Sequence, residues 1–219
     1  MSKSIIPRTP WMGKSYWSLE PVSVSVLILG LVLYGVGESC LVLANLGSAP
    51  WTVLSQGVSH LSGINIGWVT FLISLTVLIL WFPLKIKPGF GTLLNVIIIA
   101  FVIGLIVSNV TPPTSMIMRI FLTIFGVILV GIASAIYLTS HKGAGPRDGL
   151  LVGLCFLTGW RVGLVRTLLE GTVCLLGWLF GGSLGLGTLL FAFGVGWVMQ
   201  FCLAFLEKRF GPLEDHKKW

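Results

Sequence analysis

The sequence predicts an all-α integral membrane protein with six transmembrane helices, built as two inverted three-helix repeats that each contain a Gly/Pro break and a short half-helix. The 219 residues are 55% hydrophobic and only 10% charged, which is unlike a soluble domain. Several apolar runs reach the roughly 20 residues that a helix needs to cross a bilayer. Because these runs are continuous rather than alternating, they favour helices over a membrane barrel.

The six predicted spans are separated by short polar or Gly/Pro-rich segments. They are Pro21 to Ala44, Ile66 to Leu84, Gly91 to Val110, Met118 to Ser140, Val162 to Phe180 and Thr188 to Leu206. The chain then divides into a cytoplasmic N-terminal segment (1–20), a first membrane repeat (21–110), an extracytoplasmic linker (111–117), a second membrane repeat (118–206) and a basic cytoplasmic tail (207–219).

The net charge of +7 reflects membrane topology rather than nucleic-acid binding, because the loop cations cluster at span ends. With six crossings and a cytoplasmic N-terminus, Arg119 is the one loop cation on the outer side. The sequence therefore predicts a multi-pass protein of the bacterial plasma membrane, with both termini cytoplasmic and the lipid bilayer as a partner. Trp51 and Trp81 are expected near the outer and cytoplasmic edges, where aromatic rings settle.

An internal repeat underlies the predicted inversion. A shift of 96 positions carries Gly47 onto Gly143 and Pro50 onto Pro146, and further Gly positions match without a gap. In each half a short apolar segment follows the break. At 1.5 Å per residue it would be roughly 18 Å long, too short to cross unaided, whether it is re-entrant or lies at the surface. Three spans per half then invert the second half. The alternative, four spans per half, gives parallel halves and fits the charges less well.

The two breaks have the pattern of helix starts. Their structural residues are Gly47 and Pro50 in the first half, and Gly143, Gly145 and Pro146 in the second. Proline suits the first helical turn, and glycine permits a sharp approach. Free N–H groups at such starts form solute sites in proteins with broken membrane helices. Alternatively, the breaks are tight surface loops that cap ordinary packed helices.

Residues at the breaks and ionisable residues within the first and fifth spans form the candidate substrate-binding set. They are Arg147, Asp148, Arg166, Glu170, Glu38, Ser48, Trp51 and Asn45. Ionisable groups within membrane segments are costly, so each is a functional hypothesis. Glu170 lies four residues after Arg166, which allows an ion pair on one helix face; this pair could also simply hold the bundle together. Glu38 has no local partner, and it either pairs with an arginine of the second half or titrates.

The charges occur in one half only. In the repeat alignment Arg147 is equivalent to Trp51, Asp148 to Thr52, Arg166 to Thr70, and Glu170 to Ser74. Structural contacts needed by both halves should appear in both. The asymmetry therefore suggests specialisation for a ligand.

Motifs for catalysis or cofactor binding are absent from the sequence. There is no Walker-type loop, HExxH or GxSxG, and the four cysteines occur singly in apolar segments. We therefore expect no enzyme activity, no catalytic residue, no metal and no cofactor.

The string from Gly143 to Leu150, GAGPRDGL, resembles a motif of the YczE/YitT group of bacterial membrane proteins. The segment from Leu46 to Trp51 is similar to the first half of that group, and the resemblance extends from about Val24 to Leu206. It implies a multi-spanning plasma-membrane protein. The members of this group are largely uncharacterised and are usually described as candidate transporters.

Two functional hypotheses follow from the residues. The first is a secondary transporter or facilitator for a small polar solute, anionic or zwitterionic, whose site lies between the halves. The alternative is a non-transporting membrane scaffold or accessory subunit for a partner enzyme; assembly with copies of the same chain is compatible with either. A polar cavity that reaches Glu38 and Glu170 would favour transport, whereas a solid core with Arg166 fully paired would favour a scaffold.

Overall fold

The computed structural model describes residue 7 and residues 9–211, and these contain eight α-helices and no strand. In chain order the helices are α1 (Pro21–Ala44), α2 (Pro50–Ser62), α3 (Ile66–Ile79), α4 (Phe90–Asn109), α5 (Met116–Leu138), α6 (Pro146–Thr158), α7 (Val162–Leu179) and α8 (Leu186–Phe210). The prediction of an all-α membrane protein is confirmed at this level. The basic tail after Gly211 lies outside the described residues.

Five of these helices, α1, α4, α5, α7 and α8, are long and apolar enough to cross a membrane. The remaining predicted span is shorter than expected, because α3 has only 14 residues, about 21 Å at 1.5 Å per residue. The chain turns over residues 80–85. Pro83 disfavours helical geometry in the residue before it, and Lys85 takes a positive φ of 54°. The prediction of a continuous helix from Ile66 to Leu84 was therefore wrong.

Helix boundaries recur with the same spacing as the sequence repeat. The two short helices, α2 and α6, both begin at proline and both have 13 residues. Each ends at a glycine with positive φ, 71° at Gly63 and 69° at Gly159. The starts of α3 and α7, and of α4 and α8, are separated by the same 96 positions. Equivalent sequence therefore produces equivalent local structure in the two halves.

The long helices pack in a chain of contacts with α1 and α5 at its centre. Helix α1 packs against α5 and α4, α5 packs against α8, and α3 packs against α4. Helix α7 packs against α2 and α6 but makes no substantial contact with α8. The first half therefore has a packed pair, α3 and α4, whereas the equivalent helices of the second half, α7 and α8, are not packed together.

The first break is docked on the start of α8. Gly47 has φ 110°, a conformation that favours glycine, and the amide of Gly187 donates to the carbonyl of Leu46 at 2.8 Å. A Cβ at Gly187 would lie 2.3 Å from the Gly47 carbonyl oxygen. Only glycine therefore allows the two backbones to approach this closely.

The second break is docked in the same way on the start of α4. Gly143 has φ 113°, and the amide of Gly91 donates to the carbonyl of Lys142 at 2.8 Å. The hydroxyl of Thr92 donates to the carbonyl of Ala144 at 2.7 Å. Each break is therefore held by the last long helix of the other half.

The N-terminal segment before α1 lies against the loop between α5 and α6. Within this contact Lys142 is fully buried, and its ammonium donates to Glu20 Oε2 at 2.7 Å and to both oxygens of Ser18. Sequence reasoning, which places Lys142 among the loop cations, does not predict its burial. The hydrogen bond from Lys142 lowers the pKa of the Glu20 carboxyl to about 2.

We expect Gly187→Ala to lower the melting temperature of the purified protein in detergent, because its methyl group would collide with the Gly47 carbonyl. Overpacking of this kind costs about 1–3 kcal/mol. Gly163→Ala is the matched control, since Gly163 is also the second residue of its helix and nothing lies near its would-be Cβ. Equal melting temperatures for the two variants would contradict this account of the docked break.

We expect Glu20→Gln to lower the melting temperature at neutral pH, because it removes the carboxylate that pairs with buried Lys142. Since the folded-state pKa of Glu20 is lowered to about 2, the stabilisation that its carboxylate provides is complete above the ordinary glutamate pKa of about 4.3. It is lost as the pH falls through the folded-state pKa. Thermal unfolding from pH 7 to pH 2 should thus show an acid-dependent loss in the wild type that is smaller in Glu20→Gln. Exposed Glu207 provides the control: Glu207→Gln should follow the wild-type profile.

Candidate functional site

A cavity of about 470 Å³ lies among α5, α6, α7 and α8, where the start of α2 also reaches it. It is lined by four charged residues that the sequence predicted, Arg147, Asp148, Arg166 and Glu170, and by Trp51. Five of the eight predicted binding residues are therefore brought together. They come from α2, α6 and α7, and the docking of both breaks places the first turns of α2 and α6, which carry Trp51, Arg147 and Asp148.

Arg147 is the second residue of α6, and Trp51 is the second residue of α2. The guanidinium Cζ of Arg147 lies 5.7 Å from the centre of the Trp51 ring, a cation–π distance. Among the described residues, no carboxylate oxygen forms an ion pair with Arg147. Arg147 is half-buried and forms no ion pair within the described structure, so its planar fork of donors is available to a carboxylate or a phosphate.

Asp148 is held at the cavity by an aromatic pair. Its Oδ2 accepts a hydrogen bond from the hydroxyl of Tyr137 at 3.1 Å. The Tyr137 ring packs edge to face on Tyr34, with centroids 6.3 Å apart. Both tyrosines line the cavity, so Asp148 has a fixed direction although its carboxylate is exposed.

Arg166 and Glu170 form the ion pair that their spacing allows. Arg166 Nε lies 2.9 Å from Glu170 Oε1. The side chains are 60% and 29% exposed, respectively. Because both residues lie on α7, the pair does not link separate helices of the bundle, and much of the Arg166 side chain remains open to a ligand.

Glu38 lies in α1 and is fully buried. Its Oε2 accepts a hydrogen bond from Thr52 Oγ1 at 2.7 Å, whereas its Oε1 has no partner among the described residues. It does not line the cavity. Of the two alternatives for Glu38, an ion pair with Arg147 or Arg166 is not formed in the described structure.

The remaining predicted residues lie away from the cavity. Ser48 is fully buried in the first break, and its hydroxyl has no described partner. Asn45 is exposed and takes the left-handed conformation that ends α1. Asn45 therefore has a capping position, and neither residue contacts the cavity.

Two tryptophans that are expected near the membrane edges, Trp51 and Trp81, are buried within the protein. Trp51 packs beneath Arg147, and Trp81 donates from Nε1 to the carbonyl of Pro146 at 2.9 Å. A Cβ at Gly149 would lie 2.0 Å from the Trp81 ring. Trp81 therefore fixes the first turn of α6, a contact that hydropathy could not reveal because the two residues are far apart in sequence.

A smaller cavity of about 50 Å³ shares Arg147, Asp148 and the two tyrosines with the larger one. Its other polar lining residues are Ser74 and Asn95. Sequence reasoning missed Asn95 and the tyrosines as site residues. A polar side chain within an otherwise apolar span was the available signal for Asn95.

A groove of about 570 Å³ between α3 and α4 is larger but contains none of the predicted residues. Its walls include Trp68, Phe71 and Phe101, and they are mainly apolar. Such a surface suits lipid contact. The four cysteines are free and half-buried, and none of them lines either of the two polar cavities.

Apolar helices of membrane-spanning length and a charged cavity define a helical membrane protein with an internal polar site. The chain belongs to the family described as "Family of unknown function (DUF6198)", whose model matches residues 22–204. A similar protein is an uncharacterized protein of Haemophilus influenzae, 46% identical over 204 residues, covering 93% of this chain and 94% of that protein.

Two Bacillus subtilis proteins are also similar. The uncharacterized membrane protein YczE is 30% identical, with 85% of each chain covered, which confirms the resemblance to the YczE group. The uncharacterized protein YyaS is 27% identical over 83% of this chain and 92% of its own length. No solved structure matches this chain.

We expect Thr52→Val to destabilise the protein, because both oxygens of buried Glu38 would then lack a partner. Leaving a buried acceptor unsatisfied costs about 1–3 kcal/mol, or more for a charged group. Thr76→Val is the control, since Thr76 is an exposed helical threonine whose hydroxyl bonds its own helix. In the double variant Glu38→Leu/Thr52→Val the loss should be smaller than the sum of the single losses. Additive melting-temperature changes would contradict the coupling.

Proposed function

We propose that this protein is a secondary transporter or facilitator that moves a small solute with an anionic or zwitterionic group across the bacterial plasma membrane. The observation that carries the proposal is the cavity in which Arg147 lies over Trp51, at the start of the other short helix, and forms an ion pair with no carboxylate of the described residues. A scaffold needs no such cavity. Arg166, which a scaffold would hold fully paired in a solid core, is 60% exposed beside the cavity.

An inverted repeat of three crossings per half is part of the proposal. It is supported by the recurrence of helix boundaries after 96 positions and by the reciprocal docking of the breaks. Helices α2 and α6, at 13 residues or about 20 Å, are too short to cross alone. We assign the sixth crossing to α3 with its following turn. The termini are then cytoplasmic, in agreement with the basic loops.

The charged residues take separate roles in the proposed site. Arg147 binds the anionic group, and Asp148, oriented by Tyr137, accepts a cationic group when the solute is zwitterionic. The Arg166–Glu170 pair can exchange its internal contact for contacts with the solute. Either Glu38 or Glu170 carries the coupling proton. Glu170 lines the larger cavity, whereas Glu38 lies outside both polar cavities but has a carboxyl oxygen, Oε1, with no partner among the described residues. The proposal assigns no catalytic residue.

The two polar cavities suggest how access alternates. They share Arg147, Asp148 and both tyrosines, while one extends to Arg166 and Glu170 and the other to Ser74 and Asn95. Ser74 is the repeat counterpart of Glu170. In a carrier built from inverted repeats the halves exchange conformations around a fixed site. We therefore propose that the smaller cavity widens on one side as the larger one closes on the other.

We expect Arg147→Ala to abolish transport and Arg147→Lys to reduce it strongly, because lysine keeps the charge but loses the planar fork. Small carboxylates, phosphate esters and zwitterionic amino acids would be screened by thermal shift on the purified protein. Uptake of the stabilising compounds into proteoliposomes would then be measured. Arg209→Ala is the control, since exposed Arg209 lies at the end of α8 outside the cavity. Unchanged uptake by Arg147→Ala would remove Arg147 from the mechanism.

A further inference from the structure

We propose that the solute is a single-chain amphiphile with a carboxylate or phosphate headgroup, which enters the cavity sideways from the bilayer between α7 and α8. This inference rests on the proposed transport function and narrows its substrate class. Three observations support it: the cavity has one charged and one apolar wall, α7 is separated from α8, and Arg147 forms no ion pair with the residues that the structure describes.

The walls of the cavity differ in chemistry. All four charged lining residues come from α6 and α7. Helix α8, on the other side, contributes only apolar side chains and a glycine: Phe191, Ala192, Val195, Gly196 and Met199. A small hydrated ion gains nothing from such a wall. A hydrocarbon chain gains contact along its whole length, at about 0.8 kcal/mol for each buried methylene.

The equivalent helices of the first half, α3 and α4, show how α7 and α8 would pack if they were in contact. There, α3 and α4 approach so closely that a Cβ at Gly67 would lie 2.5 Å from the Cα of Gly104. The amide of Asn65 also donates to the hydroxyl of Ser108 at 2.6 Å. Close approach and an interhelical hydrogen bond are the contacts that hold membrane helices together.

Both contacts are lost in the second half. The repeat carries Gly104 onto Gln200, Asn65 onto Arg161, and Ser108 onto Ala204. Gly163, the counterpart of Gly67, has nothing within 4 Å of its would-be Cβ, and the same is true of Gly196 on α8. The gap between α7 and α8 is therefore a consequence of particular substitutions between the halves.

The proposed entry route lies in this gap because both helices carry exposed apolar side chains. Exposed Leu168 of α7 and exposed Phe193 and Trp197 of α8 are typical of lipid contact. Arg147, which has no carboxylate partner in the described structure, lies over Trp51 in the cavity. A headgroup can bind there while its chain remains against α8 and extends into the bilayer. The volume of about 470 Å³ then needs to hold only the headgroup and the first part of the chain.

The test is binding to the full-length protein in phosphatidylcholine nanodiscs. The probes are dodecanoate and dodecyl phosphate, the soluble ions acetate and inorganic phosphate, and uncharged dodecanol, with melting temperature and titration calorimetry as readouts. We expect one or both charged dodecyl probes to bind, and acetate, phosphate and dodecanol not to bind. Comparison of the two charged dodecyl probes distinguishes a carboxylate from a phosphate headgroup.

Two variants test the route. Gly196→Leu fills open space on the apolar wall and should weaken dodecyl binding by at least about tenfold. Gly171→Leu is the matched control, because Gly171 has similar open space on α7 but does not line the cavity. The triple variant Arg161→Asn, Gln200→Gly and Ala204→Ser places the first-half contacts between α7 and α8, and it should also suppress binding. Melting temperatures of the unliganded variants show whether they remain folded.

The outcomes separate this inference from the proposed function. The claim that the solute is an amphiphile is overturned if acetate or phosphate binds as tightly as its dodecyl counterpart and Gly196→Leu does not weaken dodecyl binding. The proposal of transport at Arg147 would still stand. If dodecanol binds as tightly as the charged dodecyl probes, the proposed charged headgroup is overturned. If the triple variant binds these probes like the wild type, the lateral route between α7 and α8 is overturned. If no probe binds and Arg147→Ala transports normally in the uptake assay, both proposals are overturned.

Discussion

The rest of the structure depends on the reciprocal docking of each Gly/Pro break on the first turn of the long helix that ends the opposite half. Gly187 donates to the first break, and Gly91 donates to the second. A single methyl group at Gly187 would collide with the facing backbone. Because the breaks precede α2 and α6, this docking also places the first turns of both short helices. The meeting of Arg147 with Trp51 is therefore a consequence of backbone contacts made several residues earlier in the chain.

The two halves share local structure but differ in what surrounds it. In the first half, α3 and α4 are closed by small residues and an amide–hydroxyl bond, whereas α7 and α8 remain apart. The second half carries Arg166 and Glu170 at the positions where the first half has Thr70 and Ser74. Loss of helix contact and gain of charge therefore occur together. A polar site inside a membrane protein needs both ionisable groups and space for a ligand, and the second half supplies both.

The N-terminal segment adds a contact that has no counterpart in the repeat. Lys142 closes the loop of the second break, its carbonyl accepting from Gly91 and its buried ammonium donating to Glu20 and Ser18. A buried ammonium is costly unless it is paired and hydrogen-bonded. The segment before α1 therefore stabilises the break next to the cavity, and the stability of this region is coupled to the ionisation of Glu20.

The sequence by itself determined the features that depend on neighbours in the chain. Apolar run length predicted the long helices, Gly and Pro positions predicted the breaks and both short helices, and spacing allowed the Arg166–Glu170 pair. Only the tertiary structure decided which side chains meet across distant segments. It placed Trp81 under the first turn of α6, brought Asn95 to the smaller cavity, and left Asn45 outside it. The physical reason is that hydropathy and helix signals act over a few turns, whereas these contacts depend on how rigid helices pack.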